Sequence, residues 1–92
     1  MGQIVNGRSQ TVATLRPPVG PPITVTSDCL SSEVPIGGGV RVSTTNPADV
    51  SRLHLQEDGP TDTGWLGRVA AISRFAPGSS LIITVTAYCV EP

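Results

Sequence analysis

The stretch Leu81-Ile82-Ile83-Thr84-Val85-Thr86-Ala87-Tyr88-Cys89 decides the fold class. Leu81, Ile83, Val85, Ala87 and Cys89 share one face at period two, and Ile82, Thr84, Thr86 and Tyr88 share the other, as in a β-strand with one face toward a core. The turn residues Ala76-Pro77-Gly78-Ser79 stand just before it. Toward the N-terminus the same period recurs in short pieces. Ile23, Val25, Ser27 and Cys29 lie on one strand face, with Thr24, Thr26 and Asp28 on the other. Val40 and Val42 alternate with Arg41 and Ser43, and Leu53 and Leu55 alternate with Arg52, His54 and Gln56. Trp65 to Phe75 is a longer strand candidate, or a short helix, because Leu66, Val69, Ala70 and Ile72 also fit helical spacing. Turn signals separate these pieces: Pro35 through Gly39, Asn46-Pro47-Ala48-Asp49, and a polar loop from Glu57 to Gly64.

Short strands between regular turn signals predict an all-β domain, a small β-sandwich or partly open barrel of about six or seven strands. The chain has 92 residues, room for one domain with a modest core. Trp65, Phe75 and Tyr88 are its only aromatics, so the core must be aliphatic. Residues 1–9 carry no periodic pattern, and residues 11–15 give only a short strand signal. Pro17-Pro18-Val19-Gly20-Pro21-Pro22 follows, and proline's missing donor keeps this stretch out of a central sheet. The expected division is an extended Pro-rich N-terminal arm over residues 1–22 and a sandwich over residues 23–92.

Net charge is −1, and all six basic residues are arginines spread along the chain. A nucleic-acid interface needs a basic patch, often with interleaved aromatics, and neither is present. The longest apolar run, Leu81 to Val85, is too short to cross a membrane as a helix. Cys29 and Cys89 are too far apart for a CxxC redox pair or a zinc cluster. Both fall on the apolar face of their own strands, so they are expected to form one disulfide between strands. Such a bond implies an oxidising setting. The start, Met1-Gly2-Gln3-Ile4-Val5-Asn6-Gly7-Arg8, lacks the apolar region of a signal peptide. Together these lead to the expectation of a virion protein released by lysis, or of a processed secreted domain.

Cys29, Gly37-Gly38-Gly39, Gly64-Trp65 and Thr84-Val85-Thr86-Ala87-Tyr88-Cys89 stand in an order that resembles small disulfide-bridged β-domains of secreted bacterial and phage-encoded surface proteins. The resemblance covers about residues 23–90 and implies an extracytoplasmic β-domain with a cysteine bridge and no activity. The Cys-Trp-Cys order is shared with immunoglobulin domains, but Trp65 sits nearer the second cysteine than their topology places it.

Candidate chemistry dissolves on inspection. Gly37-Gly38-Gly39 precedes a strand pattern, whereas a phosphate loop precedes a helix; a tight turn or a bulge with positive φ is expected instead. His54, the only histidine, alternates with Leu53 and Leu55 and is expected to face solvent, and no GxSxG motif is present. Glu57, Asp58 and Asp62 do not match an EF-hand loop and read as a solvated acidic turn. Trp65 is expected to plug the core, with a sugar-stacking platform as the other role. No catalytic residue, cofactor or metal site is therefore expected. The expected function is structural: a phage capsid decoration or cement protein of the virion, bound to the major capsid protein and forming a homo-oligomer, with a trimer expected. Arg8, Arg16, Pro17, Pro18, Pro21 and Pro22 on the arm are the candidate partner-binding residues. A secreted carbohydrate- or surface-binding domain, acting outside the cell through Trp65 and the Glu57–Gly64 loop, is the alternative.

Overall fold

The computed structural model describes residues 4–92. Six strands run in the order β1 (Ile4–Leu15), β2 (Ile23–Asp28), β3 (Val34–Thr44), β4 (Leu53–Pro60), β5 (Gly64–Ala71) and β6 (Ser80–Glu91), with a 3-10 helix at Pro47–Arg52 between β3 and β4. They form two antiparallel three-stranded sheets, β1-β6-β3 and β2-β5-β4. The chain is all-β, with two open sheets and no closed barrel. The described part measures 51 × 19 × 17 Å.

The sandwich forms because the central strand of each sheet carries the buried face. Leu81, Ile83, Val85, Ala87 and Cys89 of β6 are all fully buried, in the alternation read from sequence. Leu81, Ile83 and Val85 meet Val25 of β2 and Val69 and Ala71 of β5, together with Phe75. Burial of each large aliphatic here contributes roughly 1.5–3 kcal/mol. Cys89 is bonded to Cys29, just past the end of β2, with a Cα–Cα distance of 5.7 Å. The bond ties the two sheets together. Trp65 to Ala71 is strand and not helix, and Phe75 lies beyond it, where a turn drops its ring into the core.

Three expectations need correction. Residues 4–15 are not a free arm: β1 pairs with β6 over its whole length, from Ile4 opposite Glu91 to Leu15 opposite Ser80. The alternation was hidden because Asn6, Arg8 and Thr14, three of its four half-buried positions, are polar. Residues 1–3 of the expected arm lie outside the described residues. The Pro-rich stretch does connect the two sheets outside the named strands, with only a single bridge from Val19 to Ala71. Second, Pro35–Gly39 is no turn. It is the first half of β3, with a bulge between Pro35 and Gly37 and no positive φ at its glycines. Gly38 is needed for close approach: a Cβ there would sit 2.5 Å from the Thr86 carbonyl oxygen and from Cδ2 of Trp65. Third, most of the expected Glu57–Gly64 loop is strand, because β4 continues through a bulge after Leu55 to Pro60. Pro60 is tolerated there because β4 is an edge strand.

Candidate functional site

The sequence-predicted partner residues separate into two places. Arg8 and Arg16 lie on or just past β1, about 26 Å apart along the strand. Arg8 is half-buried and turns toward the segment between β2 and β3. Its Nη2 donates to Glu33 Oε2 at 2.8 Å and its Nε donates to Glu33 Oε1 at 3.2 Å. Asn6 Nδ2 donates to Glu33 Oε2 at 2.9 Å, and the Leu30 N–H donates to Oε1 at 2.8 Å. The Glu33 side chain is fully buried. Its carboxyl is held at about 2, below its ordinary 4.5, chiefly by the Arg8 hydrogen bonds and then by the Leu30 amide. Arg8 is therefore a structural partner inside the chain, not the free anchor expected of it. Sequence reasoning missed Glu33, a lone acid after Ser31-Ser32 with no periodic signal.

At the opposite end, Arg16, Pro17 and Pro18 do come together. With Val19, Arg74 and Phe75 they line a shallow recess of about 340 Å³. Arg16 is the only non-glycine residue with positive φ among the described residues, at 43°. Its N–H donates to the Ser79 carbonyl, which fixes this sharp exit from β1. Pro17 and Phe75 form the buried floor, while Arg16 and Arg74 stay exposed on the rim. Pro21 and Pro22 are exposed beyond Gly20 and do not line the recess. Arg74 and Phe75 were not expected here, since only the tertiary fold brings the β5–β6 connection beside the end of β1.

Groups considered for chemistry stay apart. His54 is exposed on β4. Glu57 pairs with Arg68 at 3.3 Å, and Asp58 accepts the Trp65 indole N–H at 2.6 Å, so the two do not converge with Asp62 on one point. Trp65 is half-buried, packed on the core and against Gly38. Its remaining exposed part lines a surface recess with Pro35, Ile36 and Pro60. Cys29, Cys89 and Glu33 offer ligand atoms within 4.8 Å of one another, but both sulfurs are used in the disulfide and the carboxylate is held by Arg8.

What remains open to a partner is surface. β1 forms one free edge of its sheet for twelve residues, with no proline, lysine or bulge along it. The Arg8 carbonyl, which lies on the β6 side of the strand, also accepts from Ser27 Oγ of β2 at 2.6 Å. On the outer face of this sheet Ser9 and Thr11 of β1 bond the hydroxyls of Thr86 and Thr84 on β6, at 2.8 and 3.0 Å. The face ends in an apolar row, Val5 and Val34 flanking Val90, with Tyr88 beside it; Val5, Val34 and Tyr88 are all exposed. Compared with known proteins, the chain matches no family model, no curated protein and no solved structure.

Proposed function

We propose that this chain is a non-enzymatic structural protein that adds its open β1 edge to a larger assembly, as a decoration or cement protein adds to a phage capsid. The observation that carries the reading is the long open edge itself. Sheet edges in free-standing proteins are commonly blunted by proline, lysine, a bulge, a short strand or an inward charge; β1 has only the last, in Arg8 near one end, and the rest of its length has none of these. Its unpaired backbone groups are suited to strand addition, and the exposed side chains of Val5, Val34 and Tyr88 supply apolar area beside them. The partner in this reading is the major capsid protein, met by symmetry-related copies of the chain. The effect is mechanical, since added interface raises the barrier to rupture of the particle.

The test is co-sedimentation of the purified chain with undecorated phage capsids, followed by comparison of DNA release on heating with and without it. Decorated particles should release DNA at higher temperature. Gln10→Lys, which places a charge at the exposed middle of the edge, should weaken association while leaving the fold intact. No co-sedimentation, together with equal DNA release, overturns the reading. Binding of the free chain to a glycan array would instead favour the secreted binding domain.

A further inference from the structure

The six arginines and seven acids of the chain nearly cancel in number but not in place. Three ion pairs, Arg8–Glu33, Arg52–Asp49 and Arg68–Glu57, remove six of them. Asp58, tied to Trp65, and Arg41, opposite Thr84, lie at mid-length. The remaining charges sort by end. Arg16 and Arg74 rim the recess where β1 ends and β6 begins. Asp28, Asp62 and Glu91 lie at the far end, where β2 and β6 finish and the β4–β5 connection packs against Cys29 through the Thr63 carbonyl. The described residues therefore form an elongated body, 51 Å long, with guanidinium groups outside its ion pairs at one end and carboxylates outside its ion pairs at the other.

We propose that successive copies of this chain bind head to tail, the Arg16–Arg74 recess of one taking the Asp28, Asp62 and Glu91 end of the next. The recess suits this role. Its floor of Pro17 and Phe75 is apolar and its rim carries two guanidinium groups, the fork that pairs with carboxylates in two-point contact. The partner must be acidic, and the acidic surface opposite in sign and close in charge number is the other end of the same molecule. Such a contact uses two different patches, so it is heterologous: it propagates into rods or closes into rings, and it does not stop at a two-fold dimer. It also works only at contact range in physiological salt, where screening acts over about 8 Å. The proposal does not depend on use of the β1 edge.

The experiment is sedimentation equilibrium of the full chain across concentration in low salt and high salt. The expected result is a mass average that rises with concentration in low salt, with association falling about tenfold or more in 0.5 M NaCl. Arg74→Glu and Asp62→Arg, both at exposed positions outside the ion pairs, should each lower self-association about tenfold without moving the melting temperature. Mixed together, the two variants should recover a 1:1 complex, because each keeps one intact end. A wild-type chain that stays monomeric in low salt overturns the proposal. So does self-association that Arg74→Glu leaves unchanged, which assigns the contact to the β1 edge, and so does failure of the mixed variants to combine.

Discussion

Replacing both cysteines by alanine tests what holds this small sandwich together. The bond joins Cys29, just after β2, to Cys89 in β6, across a sequence separation of 60. Closing a loop of that length removes about 14 cal/mol/K of entropy from the unfolded chain, or roughly 4 kcal/mol at 25 °C. A domain of this size has a total stability of about 5–14 kcal/mol, so the bond accounts for a large share of it. At about 4–8 °C per kcal/mol, the double variant should melt about 15–30 °C lower than the oxidised chain. The unfolded chain freed of its cross-link is more expanded, so the guanidinium m-value should rise as well. Far-UV circular dichroism and Trp65 fluorescence would follow the transition in the oxidised chain, the reduced chain and C29A/C89A. A shift below about 5 °C would refute the reasoning, because the core alone would then suffice. A large shift with an unchanged m-value would place the loss in native-state packing around Cys89, which is fully buried, and not in the unfolded chain.

Glu33 should make the fold acid-sensitive. Its folded pKa of about 2 lies below the ordinary 4.5, so the stability it contributes is complete above about pH 4.5 and is lost as pH falls toward 2; the pH slope of urea melts in that window should flatten in Glu33→Gln. Gly38→Ala should cost roughly 1–3 kcal/mol and perturb Trp65 fluorescence, because the new methyl meets the Trp65 ring and the Thr86 carbonyl, while Gly39→Ala, which meets open space, should change the melting temperature little. Removing residues 1–15 should unfold the chain at 25 °C or lower its melting temperature by more than about 15 °C, since β6 loses its β1 partner and Glu33 loses Arg8; a truncated chain melting within a few degrees of the full one would return β1 to the role of an arm.

The candidate surfaces were legible in part. Arg16, Pro17 and Pro18 were marked by the proline run, and the structure gathers them at one recess. Their neighbours Arg74 and Phe75 carry no such mark, because nothing in Ser73-Arg74-Phe75-Ala76 tells which distant segment it will meet. Arg8 was singled out as a free cation, and only the path of residues 29–33 supplies the carboxylate that pairs with it.

Period-two burial in β6 and β2, the turns at Asn46–Asp49 and Ala76–Ser79 and the pairing of two inward cysteines were determined by the sequence alone. Each rests on a local property: the alternation of side chains along a strand, the absent donor of proline, and the parity of a sulfur on its own strand. The tertiary structure decided which strands pair and where the edges fall. It turned an unpatterned N-terminus into a twelve-residue strand, because an edge strand buries only half of one face and fills it here with Asn6 and Arg8 against Glu33. It placed Gly38 beneath Trp65, a contact between residues 27 positions apart that no local pattern records. Charge followed the same rule: composition shows a net −1, but only the antiparallel order of strands sends Arg16 and Arg74 to one end and Asp28, Asp62 and Glu91 to the other.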